Sequence, residues 1–369
     1  MTGDTGWASF AGRFATDAVE CIDVLAEPER LETGTWFVVA EFEGRTRAWR
    51  FTEVHDAGAP PATTWHGPAR DAWTSSMDRA TYEAAVDRVR AYVHDGDVYQ
   101  ANICRVLSAP LQGPAEPDAR ALAARLAAGN PAPYAAAVHV PATTGLDPVW
   151  VVSASPELYL SVGPGADGPV VESGPIKGTA RTPDGLTEKD RAENVMITDL
   201  VRNDLQTVCR PGTVEVTSLL AVEEHPGLVH LVSRVRGTLS DDVVRSGELW
   251  RRLLAGTFPP GSVSGAPKSS ALRIIRELEP VPRGPYCGAI GWVEDGRASL
   301  AVGIRTFWWA DDGTGGVLRF GTGAGITWGS DPTAEWFETE LKAERLVALA
   351  SAPSGPPADP SDGASTGDR

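Results

Sequence analysis

The segment YCGAIGWVEDGRASLAVGIRTFWWADDGTGGVLRFGTG, residues 286–323, decides the fold. It contains three runs rich in β-branched and aromatic residues, YCGAIGWV, SLAVGIRTFWW and VLRFGTG, which are separated by short turn-forming stretches. Runs of this kind predict β-strands. Because no helix stands between them, strands and helices do not alternate one for one, which disfavours a Rossmann or barrel fold and predicts an α+β body.

Similar patterns continue through the rest of the chain. Strands are predicted at VYQANICRVLS (98–108), YAAAVHV (134–140) and VWVVSAS (149–155). Helices are predicted where apolar residues recur at helical spacing. They begin with one from about Met77 to the HDGD at 94–97 and continue at DARALAARLAAG (118–129), LTEKDRAENVMITDLVRNDLQTV (186–208), SSALRIIRELE (269–279) and DPTAEWFETELKAERLVALA (331–350).

Composition places the chain among globular proteins and excludes several function classes. Its 369 residues are 42% hydrophobic and 22% charged, which allows a sizeable core. A net charge of -16 argues against a nucleic-acid partner. There is no apolar run long enough for a membrane span and no secretory pattern at the N-terminus. The four cysteines have no CxxC spacing and are expected to be buried thiols, so we predict a cytoplasmic protein.

Changes in composition divide the chain into three parts. Residues 1–76 are expected to form an N-terminal section and a linker, because HDAGAPPATTWHGPARDAW (55–73) is broken by Pro and Gly. Residues 77–350 form the main body. Residues 351–369 are rich in Pro, Ser, Gly and Asp, cannot bury a core, and are predicted to be a disordered tail.

Two predicted helices carry paired acids. Asp190 and Glu193 are three residues apart and share a helix face, as do Glu335 and Glu338, with Lys342 one turn beyond. Two such faces brought together would suit Mg²⁺, which prefers oxygen ligands. Spacing alone leaves open the alternative that both are solvated helix surfaces.

Small-residue stretches and buried cations suggest an anion site. GSVSGAPKSSALRII, from Gly261, leads directly into a helix, and GTGAGITWGSDP (321–332) is read as a second glycine-rich turn. Arg305 lies in a predicted strand among apolar neighbours, so it must pair with an anion or with a buried carboxylate. Lys177, in the predicted loop of PIKGTARTP (175–183), could be an ordinary solvent-exposed lysine or could act on a ligand.

Taken together, these stretches resemble the chorismate-utilising enzymes, the family of anthranilate synthase component I. The resemblance runs from about Gly96 to Ala343 through ten segments in order: GDVYQANICR, SASPELYL, PIKGTARTP, DRAENVMITDLVRNDL, HLVSRVRG, SGAPKSSALRIIRELEP, YCGAIGW, AVGIRTF, GAGITWGSDP and EWFETELKA. It implies an α+β fold in which large antiparallel β-sheets pack face to face with helices outside. It also implies that residues 77–350 are a chorismate-binding catalytic domain.

The resemblance further implies a set of site residues. Chorismate would bind through Mg²⁺, with Glu193 and Glu338 as metal ligands and Glu335 and Asp190 nearby. Glu157 would be the general acid that protonates the leaving hydroxyl. The residues implied to contact substrate are Arg305, Tyr286, Lys342, the amides around Gly323, Ala324 and Gly325, and, along the ring, His230 and Thr179.

Two positions indicate the branch of the family. Gln100 stands where water-using members have a lysine base, and a glutamine cannot deprotonate water, so an aminating member is expected. Lys177 in PIKGT resembles aminodeoxychorismate synthase component I, in which this lysine forms a covalent intermediate. That branch makes 4-amino-4-deoxychorismate, towards p-aminobenzoate and folate. Since no segment resembles a glutamine amidotransferase, a glutaminase partner is expected to supply ammonia.

Other readings stay open at this point. Within the family these are anthranilate synthase component I and an aminodeoxyisochorismate synthase; from another class, a catalytically silent subunit that binds chorismate and regulates a partner. The stretch before the first core helix is shorter than is usual in the family, so control by tryptophan is not expected. TWGSD (327–331) also differs from the commoner VADSD.

Overall fold

Antiparallel strands dominate the computed structural model, which describes residues 4–55, 64–111, 116–180, 182–225, 228–311 and 315–352, without the side chains of Thr179, His225 and Leu228. The strands of the described residues, in chain order, are β1 (Trp7–Phe10), β2 (Arg13–Asp23), β3 (Thr35–Ala40), β4 (Thr46–His55), β5 (Thr74–Ser75), β6 (Gln100–Pro110), β7 (Tyr134–Val140), β8 (Val149–Ser155), β9 (Leu158–Gly163), β10 (Val170–Gly174), β11 (Ile176–Ala180), β12 (Glu215–His225), β13 (Leu228–Thr238), β14 (Gly265–Ala266), β15 (Ala289–Glu294), β16 (Arg297–Val302), β17 (Thr306–Asp311) and β18 (Gly316–Ile326).

Five of the eight α-helices of the described residues begin and end close to the predicted limits, and the three short helices between 241 and 264 were not predicted. The eight are α1 (Arg79–His94), α2 (Ala119–Gly129), α3 (Glu188–Gln206), α4 (Asp241–Val244), α5 (Leu249–Thr257), α6 (Gly261–Ser264), α7 (Lys268–Leu278) and α8 (Pro332–Ala350). Asp78, Asp118, Thr187 and Asp331 each accept a hydrogen bond from a backbone N–H in the first turn of α1, α2, α3 and α8. Such caps satisfy N–H groups that lack a partner within the helix.

The strands form one hydrogen-bonded series in which every pair is antiparallel. The series runs β6–β18–β17–β8–β7–β1–β2–β4–β3–β15–β16–β9–β10–β13, and β13 also pairs with β11 and β12. The series folds back on itself, since one hydrophobic cluster takes Val138 and Val151 from β7 and β8 and Phe37 and Ile290 from β3 and β15. The predicted α+β fold with large antiparallel sheets is confirmed.

The N-terminal strands join the same sheet as the main body. β1 pairs with β7, and β3 pairs with β15, so residues of the predicted N-terminal section lie beside strands from residues 77–350. Part of the predicted linker, 56–63, and most of the predicted tail, 353–369, lie outside the described residues. Across the described residues, no helix is both long and apolar enough to cross a membrane.

Three local predictions are wrong. SLAVGIRTFWW is two strands, β16 and β17, and Arg305 lies in the bend between them with a φ of 54°, in the left-handed region. Gly323 to Gly325 lie inside strand β18 rather than in a turn, because β18 continues to Ile326 and pairs with β6 along this stretch. Lys177 belongs to strand β11 rather than to a loop.

Candidate active site

Strand β11 carries Lys177 past the start of helix α3. The next residue, Gly178, has a φ of 86°, and a Cβ there would lie 2.8 Å from the Cβ of Asp190. A side chain at this position would therefore meet both backbone strain and a clash. The glycine allows the strand to pass close to α3, which brings Lys177 towards the acids of that helix.

The Lys177 amine meets side chains from β6 beside Gly325 of β18. A Cβ built on Gly325 would lie 2.6 Å from Gln100 Nε2, 3.0 Å from Asn102 Oδ1 and 3.1 Å from Lys177 Nζ. Any side chain at 325 would displace these groups, so glycine is required by close approach rather than by a turn. Strands β6, β11 and β18 thus bring the three polar side chains around one point.

Burial favours the uncharged form of Lys177. Desolvation lowers the pKa of the Lys177 amine, and the nearby Lys342 ammonium lowers it further. The carboxylates of Glu193, Glu157 and Glu338 oppose this shift without cancelling it. The site therefore holds an amine that loses its proton more easily than a surface lysine, which is a requirement for nucleophilic chemistry.

Glu157 lies in the connection between β8 and β9 and is only 4% exposed. Burial raises the pKa of its carboxyl from 4.5 to about 7, although a hydrogen bond from Ser262 and the charge of Lys177 act in the opposite direction. Together with Ser262 it lines a small cavity. A carboxyl with this pKa can hold a proton near neutrality and donate it, as a general acid must.

Arg305 is held close to Glu157 by the bend between β16 and β17. Its backbone carbonyl accepts a hydrogen bond of 3.0 Å from the N–H of Ala154. Burial lowers the pKa of the guanidinium, and the Glu157 carboxylate is the group that opposes this. A guanidinium stays charged in proteins, so Arg305 presents a fixed positive charge that can bind a carboxylate of a ligand.

The acids of α3 and α8 converge on one lysine. Lys189 Nζ lies 3.7 Å from Glu193 Oε1 and 3.4 Å from Glu335 Oε1. Partial burial alone would lower the pKa of Lys189, but the two carboxylates raise it. Glu335 is 3% exposed, and burial raises the pKa of Glu193. The Oε1 atom of Glu193 is buried and accepts no hydrogen bond from the described residues.

Helix α8 also links Glu338 to strand β18 through Lys342. Lys342 Nζ lies 2.6 Å from Glu338 Oε1 and donates a hydrogen bond of 3.0 Å to the carbonyl oxygen of Gly323. Burial alone would raise the pKa of Glu338, but the Lys342 ammonium, with help from Lys177 and Lys189, lowers it. Glu338 is therefore ionised and available to a cation.

These carboxylates fit a hard cation that also binds substrate. Among the described residues, no group of three or more Asp, Glu, His or Cys side chains is close enough together to form a metal site. Mg²⁺ commonly takes only one or two protein carboxylates and completes its shell with water and substrate oxygens. The buried Glu193 oxygen, which accepts no hydrogen bond from the described residues, is consistent with such an ion. Asp190 differs from the other acids, since its carboxylate accepts hydrogen bonds from Thr187 N (2.8 Å) and Oγ1 (2.7 Å) and caps α3.

The remaining predicted residues surround this group of strands. His230 on β13 is buried and pairs in register with Thr179, whose side chain lies outside the described residues. Tyr286 is buried, and its ring packs against Gly321 of β18, where a Cβ would lie 2.0 Å from the ring. Ala324 is buried and pairs with Ile103. The structure therefore places His230, Tyr286 and Ala324 on or against the strands that hold Lys177, Gln100 and Gly325.

Three polar residues of the site were missed in the sequence. Ser262 contacts Glu157, Asn102 contacts Gln100, and Lys189 bridges Glu193 and Glu335. Ser262 lies in the GSVSG stretch that predicted an anion loop, and Asn102 lies two residues after Gln100 on the same strand. Alternation along a strand could have identified Asn102, since residues i and i+2 face the same side.

Comparison with known proteins agrees with this fold. A family model described as chorismate binding enzyme matches residues 32–348. Anthranilate synthase component 1 of Saccharolobus solfataricus is 36% identical over 287 residues, covering 74% of this chain and 63% of that protein. Aminodeoxychorismate synthase component 1 of Salmonella typhimurium is 36% identical over 314 residues, covering 79% of this chain and 64% of that protein. The chain thus spans somewhat less than two thirds of the length of these relatives.

Solved structures share the fold at low identity. The isochorismate synthase DhbC of Bacillus anthracis superposes with a TM-score of 0.74 at 22% identity, covering 95% of this chain and 96% of that one. Anthranilate synthase component I of Streptococcus pneumoniae gives a TM-score of 0.71 at 22% identity, covering 94% of this chain and 90% of that one.

Proposed function

We propose, from the premise that the chain belongs to the chorismate binding enzyme family, that it aminates chorismate at C4 to give 4-amino-4-deoxychorismate. The observation that supports this most strongly is the buried Lys177 amine. Its pKa is lowered by burial, and it shares one site with a Glu157 carboxyl whose pKa is raised to about 7. Burial favours the neutral form of each group, and the neutral forms are a nucleophile and an acid.

In the first step, the neutral Lys177 amine forms a bond to C2 of the ring. The two ring double bonds shift, the bond between C4 and the hydroxyl breaks, and Glu157 donates its proton so that the hydroxyl leaves as water. In the second step, ammonia forms a bond to C4, the double bonds shift back, and the bond between C2 and Lys177 breaks. The lysine amine is thereby restored, and the enolpyruvyl group stays on the ring.

Charged residues at the site would orient the substrate. Arg305 and Lys342 can bind substrate carboxylates, since Lys342 presents positive charge near the Lys177 amine and Arg305 presents it near Glu157. Glu193, Glu335 and Glu338 would hold Mg²⁺, which supplies positive charge to the ring carboxylate when it is bound. Gln100 has no basic group, so the site lacks at this position the base that water would need as a nucleophile. We infer that ammonia comes from a glutamine amidotransferase partner, as the name component 1 of the relatives suggests.

Product identification tests the proposal directly. The purified chain is incubated with chorismate, Mg²⁺ and ammonium, and the products are identified by mass spectrometry. We expect 4-amino-4-deoxychorismate without release of pyruvate. Anthranilate with released pyruvate would replace the proposal with the anthranilate synthase reaction. Unconsumed chorismate, even with a glutaminase partner present, would favour a silent chorismate-binding subunit.

Lys177→Ala tests the covalent step. The variant should lose amination by at least about a thousandfold, because the nucleophile is gone, while it keeps chorismate binding within a fewfold. Omitting ammonium from the wild-type reaction should trap an adduct on the peptide that carries Lys177. The other lysines of the chain, Lys189, Lys268 and Lys342, are internal controls and should stay unmodified. Normal turnover by Lys177→Ala would contradict the covalent route.

A further inference from the structure

Lys189 places a positive charge between the acids of helices α3 and α8. Its Nζ donates a hydrogen bond of 3.4 Å to Glu335 Oε1 and lies 3.7 Å from Glu193 Oε1. The side chains of Glu335 and Glu193 are only 4% and 17% exposed, so water screens the repulsion between the two carboxylates poorly. The Lys189 ammonium offsets this repulsion.

The ammonium satisfies these two carboxylates incompletely. Hydrogen bonds between an ammonium and a carboxylate are commonly about 2.7–2.9 Å long, and both distances at Lys189 exceed this range. Glu193 Oε1 is buried and accepts no hydrogen bond from the described residues. A buried acceptor without a donor costs free energy, so the Glu193 oxygen gains from any cation that approaches it more closely than Lys189 does.

A divalent metal ion meets this requirement better than an ammonium. Mg²⁺ carries two charges and binds carboxylate oxygens at about 2.1 Å, while water and substrate oxygens complete its shell. The ion and the Lys189 ammonium repel each other, so both cannot stay beside Glu193 and Glu335. Binding of the ion therefore requires that the ammonium leaves.

Lys189 can leave this position without disturbing the fold. Its side chain is 53% exposed and starts in the first turn of α3, so it can extend into water. Lys342, the other lysine near these acids, donates an additional hydrogen bond of 3.0 Å to the carbonyl oxygen of Gly323. A cation that enters between α3 and α8 would therefore displace Lys189 rather than Lys342.

We infer that Lys189 is a tethered counter-ion: its ammonium takes the place of Mg²⁺ between Glu193 and Glu335 and moves into solvent when the ion binds. Lys189 is thus a positioning residue that keeps the two acids together in the metal-free chain and weakens the affinity of this chain for Mg²⁺. The inference rests on the proposed function, since it concerns the ion that this function requires.

Thermal unfolding of wild type and of Lys189→Met, with EDTA and with saturating Mg²⁺, tests this assignment. Without the ion, the variant should unfold about 1–3 °C below wild type, because the repulsion between Glu193 and Glu335 is no longer offset. With saturating Mg²⁺ this deficit should vanish or reverse, because the ion supplies the positive charge in both proteins. An ion pair with a merely structural role would be lost equally under both conditions.

Lys268→Met is the matched control, because it removes the same charge from another ion pair of α3. Lys268 Nζ lies 2.7 Å from Asp204 Oδ2, and Asp204 follows Glu193 by eleven residues, about 16 Å along the helix. The loss of stability in this variant should be the same with EDTA and with Mg²⁺. Lys189→Arg, which keeps the positive charge, should unfold within about 1 °C of wild type under both conditions.

The inference is overturned if Lys189→Met unfolds at the same temperature as wild type with EDTA, or if its deficit is the same with EDTA and with Mg²⁺. It is also overturned if Lys268→Met shows the same dependence on Mg²⁺, which would make the effect one of net charge. These outcomes leave the proposed function intact. If Mg²⁺ raises the unfolding temperature of neither wild type nor Lys189→Met, with or without chorismate, the inference and the Mg²⁺ requirement of the proposed function both fail.

Discussion

Glu157→Gln should stabilise the folded protein at alkaline pH while it removes the proposed general acid. The Glu157 pKa of about 7 lies above its ordinary value of 4.5 because burial disfavours the carboxylate. Between these two pH values the folded chain keeps a proton that the unfolded chain has released, so the free energy of unfolding falls as pH rises through this window. Above pH 7 the full cost is about 3 kcal/mol, at 1.36 kcal/mol for each pH unit.

Glutamine does not ionise, so the variant avoids this cost. We expect the free energy of unfolding of Glu157→Gln to exceed that of wild type by up to about 3 kcal/mol at pH 8 and by less than about 1 kcal/mol at pH 5. Urea unfolding, followed by the fluorescence of the 12 tryptophans, measures both values.

Glu279→Gln is the contrasting control. Glu279 is also buried, but its carboxylate is 2.6 Å from the guanidinium of Arg283, which is 1% exposed. Removing this charge leaves Arg283 without its carboxylate and should destabilise the fold by about 3–5 kcal/mol. The loss should be smaller at pH 8 than at pH 5, because burial also raises the pKa of the Glu279 carboxyl. If Glu157→Gln is no more stable than wild type at pH 8, the argument that burial strains the ionised Glu157 is refuted.

Three further predictions address pH, metal and folding. The kcat/KM for chorismate should follow a bell-shaped pH profile, because Lys177 must lose its proton while Glu157, with a pKa of about 7, must keep its own. A profile with no falling alkaline limb would contradict the role of Glu157 as the acid. Lys189→Met should tighten Mg²⁺ binding several-fold, as measured by calorimetry without chorismate. The Lys189 ammonium lies 3.4 Å from Glu335 and 3.7 Å from Glu193, where it repels a cation. Unchanged affinity would place the metal elsewhere. Asn194→Ala should lower the free energy of unfolding, measured in urea, by about 2 kcal/mol. The buried Asn194 amide donates a hydrogen bond to Leu231 O at 2.8 Å and accepts one from Ser233 Oγ at 2.5 Å, and the variant loses both. A change below about 0.5 kcal/mol would show that water replaces these bonds.

The sequence predicts those helices and strands whose secondary structure depends mainly on their own residues. The strands at Tyr134–Val140 and Val149–Ser155 have the predicted limits, because each is a short apolar run bounded by proline-containing stretches of the sequence. The prediction of a turn at Gly323 to Gly325 is wrong, because these residues are part of strand β18 and pair with β6, a partner that is distant in the sequence. A Cβ at Gly323 would lie 2.5 Å from Cys104 Sγ, a contact that only the paired strands create.

The same distinction applies to the candidate site. The prediction that Lys177, Glu157 and the acids are site residues comes from family resemblance, since each stands in a recognisable motif. Asp190 shares a helix face with Glu193, yet its carboxylate forms a capping box with Thr187 at the start of α3. This capping role is recognised only when Thr187 and Asp190 are considered as a pair. Lys189 reads as an exposed lysine in the sequence; only the packing of α3 against the site shows that it bridges two carboxylates.

The fold by itself does not determine which chorismate reaction takes place. The structures of DhbC from Bacillus anthracis and of anthranilate synthase component I from Streptococcus pneumoniae superpose almost equally well on this chain, at TM-scores of 0.74 and 0.71. Relatives named for anthranilate and for aminodeoxychorismate synthesis are both 36% identical to it. We propose that differences in chemistry arise from a few side chains on shared strands. Lys177 on β11 and Gln100 on β6 are candidates for such positions, because Lys177 Nζ and Gln100 Nε2 both lie close to Gly325, which has no side chain of its own. Exchanging either one would then change the groups offered to a ligand without changing the strands that carry them.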